Sequence, residues 1–424
     1  MTGGVAIEMG ADLRSANRDY LASVDHLRAF AALLIVFYHG VQLFSSAIRD
    51  TSFNSRTGWL YSSNPVLTFV LEGHTAVALF MVLSGFIFTV GTLDREVSWS
   101  RFMANRLLRI YPMFVLLLVI GIAANPDAFS LSGLAQAVLG LGNLPGGMML
   151  GDVSGMFWAV AVEMQFYLVF PLLNRLLTRF GISMLVRLFA AIVVVRGLVW
   201  AAATTHDAHR MLYLNIAGRI DQFLLGMIAA WLFVRYRDRF RGWWKTGIAL
   251  ALAIVTLWAF NQAHGFHSNE AWRLAWVDVE GGVWALVILT YAATCRGTSL
   301  PSRVVAKVGE TSYSIYLLHF LVVSYLADNG YLIELRWLSP IENALLTTAV
   351  IVVPVVLAIS ALTYQSVEQP FLRMRIKYLL PVPPPSHRLP PADRSDRAVP
   401  QTPRGHPEPA ALATSRAASI PEAR

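Results

Sequence analysis

Ten apolar runs, each long enough to cross about 30 Å of hydrocarbon as a helix, recur along the chain with centres near residues 37, 82, 115, 166, 191, 225, 251, 287, 319 and 353. Such runs dictate helices, because inside lipid every backbone N–H and C=O must find its partner within the segment itself. A soluble globule is excluded on related grounds. Of 424 residues, 56% are apolar and only 14% are charged, too few to cover a water-facing surface. The predicted class is an all-α integral membrane protein with about ten transmembrane helices. An eleventh run, 131–150, is broken by Gly140, Gly142, Pro145, Gly146 and Gly147 and is predicted to be interfacial or re-entrant.

The basic residues predict sidedness. Arg95, Arg101, Arg106 and Arg109 follow the second run, Arg175, Arg179 and Arg187 the fourth, Arg235 to Lys245 the sixth, and Arg296, Arg303 and Lys307 the eighth. The intervening loops are poor in Lys and Arg: 125–155 carries only Asp127 and Asp152, and 328–342 one arginine, Arg336, against three acids. Both ends are therefore predicted to be cytoplasmic. The surplus of Lys plus Arg (34) over Asp plus Glu (26) is accounted for by these loops, so no nucleic-acid partner is expected. Residues 1–24 read as a cytoplasmic segment, 25–375 as the membrane domain, and 376–424 as a disordered cytoplasmic tail; 11 of the 20 prolines fall after position 380.

Ionisable groups inside spans are costly, so each is a candidate for function. They are His39 in the first span, Glu163 early in the span near 166, Arg219 with Asp221 opening the span near 225, and His319. Arg28 and His39 are eleven residues apart, which is close to three helical turns and about 16 Å of rise, so they share a face. A ligand with an anionic head and a long neutral arm would reach from one to the other. The plainer reading makes Arg28 an interfacial anchor and His39 a packing residue. A neutral imidazole suits the base role at such depth. Arg106 and Arg109 share a helical face and could grip phosphates in forked geometry, or form an ordinary basic loop. Glu163, with Tyr167 one turn on, could bind an acceptor hydroxyl, orient the histidine, or pair with Arg219. Arg219 and Asp221 do not share a face, and each is expected to reach another span.

Cys295 is the only cysteine, which excludes an internal disulfide and a thiolate metal cluster. No Gly-x-Ser-x-Gly elbow, phosphate loop or metal-ligand spacing is present, so no metal is expected. A secondary transporter of a small polar metabolite is the alternative that a ten-span chain allows, although internal repeats and matched broken helices are not visible.

In order along the chain stand Asp25-His-Leu-Arg28 with His39, Leu79-Phe-Met-Val-Leu-Ser84-Gly85-Phe86, Asn105-Arg106-Leu-Leu-Arg109-Ile-Tyr-Pro112, and Trp158 with Glu163 and Tyr167. Gly218-Arg219-Ile-Asp221, Ser312-Tyr-Ser-Ile-Tyr316-Leu-Leu-His319 and Val367-Glu368-Gln-Pro370 follow. This series resembles the membrane acyltransferase family 3 over about residues 20–375. The resemblance implies a ten-helix enzyme of the cell membrane that moves an acyl group, expected to be acetyl, from acyl-CoA to a hydroxyl, usually of a carbohydrate or glycoside. Acyl-CoA is then a co-substrate, and no cofactor is held permanently. It implies essential roles for Arg28 and His39, here taken with Glu163 as catalytic. CoA contacts are expected from Arg106, Arg109 and Ser84, and acceptor contacts from Tyr167, Arg219, Asp221 and His319. Where the family usually has Arg-Arg-x-x-Arg, this chain has Asn105 in the first position.

Overall fold

The computed structural model describes residues 20–53, 57–204 and 207–380. The tail from residue 381 and the first nineteen residues lie outside the described residues. Among the described residues the fold is all helical, and the one β contact is an isolated antiparallel bridge between Val97 and Leu379.

Ten long helices occupy the ten predicted positions: α1 (Ala22–Ile48), α2 (Ala76–Thr92), α3 (Trp99–Ala124), α4 (Phe157–Phe180), α5 (Ile182–Ala202), α6 (Ile220–Phe240), α7 (Trp243–Gln262), α8 (Arg273–Thr294), α9 (Ser312–Asp328) and α10 (Pro340–Leu372). Eight are long and apolar enough to cross a membrane, all but α6 and α9. The first carries Asp221, Arg235, Arg237, Asp238 and Arg239, and the second has 17 residues. The protein is a multi-pass membrane protein. The run at 131–150 forms no span: after the eight-residue helix Leu131–Val138 the chain turns through Gly140 and Gly146, both at positive φ.

Local chemistry sets the ends. Ser339 and Glu342 form a capping box with Pro340 in the first turn of α10, and Gly181, at φ +73°, ends α4. Outer faces are apolar because lipid solvates them: Val194, Leu198 and Val199 on α5 are all exposed. The predicted tail boundary at 376 falls inside an ordered stretch, since Tyr378 O accepts from Ser98 N (2.9 Å) and Leu380 N donates to Glu96 O (3.0 Å) at the start of α3.

Helices that carry the site pack through small residues, which let backbones meet. A methyl group built at Gly85 would overlap the Phe223 carbonyl, and one at Gly226 would overlap the Val82 carbonyl, so α2 and α6 cross in backbone contact. Above that crossing the Phe166 and Phe223 rings stack at 3.9 Å. Gly226→Ala must push the two helices apart, at a cost of about 1–3 kcal/mol or more for overpacking. Thermal unfolding in detergent is expected to show a lower Tm for this variant. Gly247→Ala, with nothing within 4 Å of the added carbon, is expected to leave the Tm unchanged or raise it.

Candidate active site

α1, α2, α3, α4, α9 and α10 enclose a cavity of about 960 Å³. Its lining includes six cations, Arg28, Arg106, Arg109, Lys307, Arg373 and Arg375, against three carboxylates, Asp25, Glu163 and Glu310. The cations gather at the end where α1, α3 and α9 begin and α10 finishes.

Arg106 and Arg109 face the cavity together, as their spacing predicts. The Arg106 guanidinium lies 4.8 Å from the Phe88 ring centre, 5.4 Å from Phe102 and 5.7 Å from Tyr167. Aromatic faces hold it, and its buried Nε has no hydrogen-bond partner. Arg109 instead pairs with Glu368 at 2.9 Å across α3 and α10. Arg28 lies 3.6 Å from Asp25 with its side chain 31% exposed, open to the cavity.

Asn105 does not reach the cavity. Its side-chain amide clasps the Ile376 backbone both ways, donating to Ile376 O (2.6 Å) and accepting from Ile376 N (2.9 Å). That clasp fixes the segment carrying Arg375, which lines the same cavity. Burial, then the charges of Arg109, Arg106 and Arg28, hold the Arg375 guanidinium down at about 9. Its buried Nε is also unpartnered. Arg375 was not legible as a site residue, because one more arginine beyond the last span reads as topology.

On the inner wall Glu163 accepts hydrogen bonds from Ser84 Oγ (3.0 Å) and from the Tyr167 hydroxyl, and all three line the cavity. Glu163 pairs with neither Arg219 nor His39. Phe80 and Tyr316 also line the cavity, with ring centres 6.1 Å apart. Tyr316 was quoted in a motif, yet nothing in the sequence marked its hydroxyl, which is buried and makes no hydrogen bond.

His39 stands elsewhere than expected. It does not line the cavity: its ring is packed among Tyr38 (4.7 Å), His319 (5.0 Å), Phe320 (5.0 Å) and Phe53 (6.0 Å). The face that joins it to Arg28 is sealed because Ala32, Ile35 and Val36 between them are fully packed. His319, expected at the acceptor, is fully buried and outside the cavity, and Nδ1 of His39 lies 3.0 Å from its Nε2. Nδ1 of His319 faces the carbonyls of Tyr316 (2.7 Å) and Ile315 (3.1 Å). Carbonyl oxygens only accept, so in the neutral ring this nitrogen carries the proton and Nε2 accepts. His39 must then donate from Nδ1, which leaves its Nε2 lone pair free to take a proton.

Arg219 and Asp221, also expected at the acceptor, do not line the cavity. Arg219 pairs with Glu280 (3.5 Å) and Gln222 (3.0 Å), and Asp221 with Arg196, which also binds Asp278. Both are almost completely buried, and saturated partners leave no group for a ligand.

Residues 21–364 match the family described as acyltransferase domain. Among relatives, nodulation protein 10 of Rhizobium leguminosarum bv. viciae is 27% identical over 386 residues, covering 83% of this chain and 93% of that protein. Acyltransferase MdmB of Streptomyces mycarofaciens is 26% identical over 383 residues, covering 84% and 92%. A Staphylococcus aureus (strain COL) protein provisionally named an O-acetyltransferase is 24% identical over 399 residues. That match covers 85% of this chain and 58% of the relative. No solved structure matches the chain.

Removing one member of a buried ion pair strands the other charge. Glu368→Ala is expected to cost about 3–5 kcal/mol, read as a fall in Tm in detergent. The double variant Arg109→Met/Glu368→Leu is expected to recover most of that loss while impairing whatever Arg109 binds.

Proposed function

Because the chain belongs to the membrane acyltransferase family 3 and is a multi-pass O-acyltransferase, we propose that it takes the acyl group, most simply acetyl, from acyl-CoA and delivers it to a hydroxyl of a carbohydrate or glycoside. The observation that carries this reading is the surplus of guanidinium groups at the cavity mouth, two of them with unpartnered buried N–H donors, which matches a ligand with a cluster of phosphates. Family membership favours an enzyme over the transporter that the spans alone would allow. The relative named an O-acetyltransferase supports acetyl as the group moved.

In this reading the CoA phosphates rest on Arg28, Arg106, Arg109 and Arg375, and the pantetheine arm passes Ser84, Glu163 and Tyr167. The thioester stops at the inner end, beside Tyr316. The acceptor approaches His39 from the Phe53 side, and the two substrates meet where Phe320 and His319 stand between base and cavity. His39 Nε2 takes the acceptor's hydroxyl proton as that oxygen bonds to the thioester carbon. The C–S bond then breaks, and the CoA thiolate receives the proton from His39. The mouth faces the cytoplasm, consistent with the basic loops, and the membrane is the cell membrane. Residues 25–375 form the catalytic domain.

The decisive assay uses purified protein with radiolabelled acetyl-CoA and glycans from a strain lacking the gene. Label on a glycan, or acceptor-stimulated CoA release, is the expected result, and flux across vesicles without CoA release would overturn the reading. His39→Ala is expected to lose transfer by at least a hundredfold, with a lowered Tm from the cavity and the unpaired His319 that it leaves. Arg375→Gln is expected to raise the KM for acetyl-CoA roughly ten- to a hundredfold, as for a lost charge-assisted hydrogen bond.

A further inference from the structure

We propose that Tyr316 is a catalytic residue that donates its phenolic O–H to the thioester carbonyl, holding the negative charge that develops on that oxygen as the acceptor attacks. The proposal rests on the reading of acyl-CoA as donor.

A buried hydroxyl with no partner is destabilising, so native structures seldom leave one unless something else satisfies it. Tyr316 is 7% exposed, lines the cavity, and its hydroxyl is buried and makes no hydrogen bond. The competing hydroxyls there are committed. Ser84 and Tyr167 both donate to Glu163, and the Tyr313 hydroxyl donates to Ile110 O at 2.9 Å. Among the described cavity-lining residues, Tyr316 is the one whose hydroxyl is both buried and unpartnered.

Position completes the argument. Tyr316 precedes His319 by one helical turn, and their ring centres are 5.8 Å apart. The Tyr316 carbonyl is the acceptor that holds His319 in the tautomer which frees His39 Nε2. The same residue therefore sets the base through its backbone and contributes its side chain to the cavity wall. The Phe80 ring, meeting it edge-on at 6.1 Å, fixes the phenol in place. A fixed donor in a water-poor site stabilises a developing oxyanion more than it stabilises the ground-state carbonyl.

Tyr316→Phe removes the hydroxyl and nothing else. The expected result is a fall in kcat of about a hundredfold, the usual loss for one oxyanion donor, with the KM for acetyl-CoA changed far less and Tm unchanged or higher. S-ethyl-CoA, a thioether without the carbonyl, is expected to bind wild type and Tyr316→Phe equally well. A packing role would weaken binding of both ligands together. Wild-type kcat in Tyr316→Phe, or parallel loss of acetyl-CoA and S-ethyl-CoA binding, would overturn the assignment. A wild-type protein that consumes no acetyl-CoA would instead remove the donor reading, and this assignment with it. Should Tyr316→Phe prove unstable, 3-fluorotyrosine at position 316 alters the acidity of the O–H and little else. A changed kcat at unchanged Tm supports the assignment, and an unchanged kcat refutes it.

Discussion

Gathering like charges in a medium of low polarity is the constraint on which the rest of the site depends. Coulomb repulsion between guanidinium groups grows as water is removed, yet Arg28, Arg106, Arg109 and Arg375 surround one cavity. Three devices hold them there. Glu368 neutralises Arg109 and ties α3 to α10, the faces of Phe88, Phe102 and Tyr167 seat Arg106 without neutralising it, and the Asn105 clasp fixes the backbone beside Arg375. Only the first cancels a charge. Burial first, and then the neighbouring guanidinium charges, hold Arg375 below the usual arginine range, and a polyanion at the mouth would offset those charges.

In the proposed mechanism, separation of His39 from the cavity has its own logic. A thioester in an open channel beside a free imidazole would be hydrolysed by any water that entered with it. Here the His319 ring lies 5.0 Å from His39 and 5.8 Å from Tyr316 of the cavity wall, and His39 is 6% exposed. On that proposal, reaction requires both substrates to be present and the aromatic boundary to part, which favours the acceptor's oxygen over that of water.

Much of the fold was legible because lipid leaves few choices: apolar runs of span length must be helices, and all ten predicted positions hold one. The charged α6 and the short α9 were legible as elements, although the first falls short of a span by composition and the second by length. Arg106 and Arg109 were legible because helical spacing carries a face. The continuous path from Arg28 to His39 was not, since spacing says that two residues share a face and nothing about what packs on it. Ala32, Ile35 and Val36 are themselves the seal. Arg375 lay hidden for a different reason. The site takes it from a segment beyond the last span, and the residue that brings it in, Asn105, appeared in the sequence only as a missing arginine.

Buried charges in this bundle fall into two kinds that sequence alone presents as one. Arg196 has Asp221 and Asp278, although its Nε and Asp278 Oδ1 are buried without a partner, and Arg219 has Glu280, Gln222 and the Tyr213 carbonyl; none of these residues lines the cavity. Such networks fix how helices meet, and their cost is met within the protein. Arg106 and Arg375 keep a donor without an acceptor at the wall of a cavity, as Tyr316 does at its end. Depth and charge therefore do not identify the site; what distinguishes it is hydrogen-bonding capacity left unfilled where there is room for something to fill it.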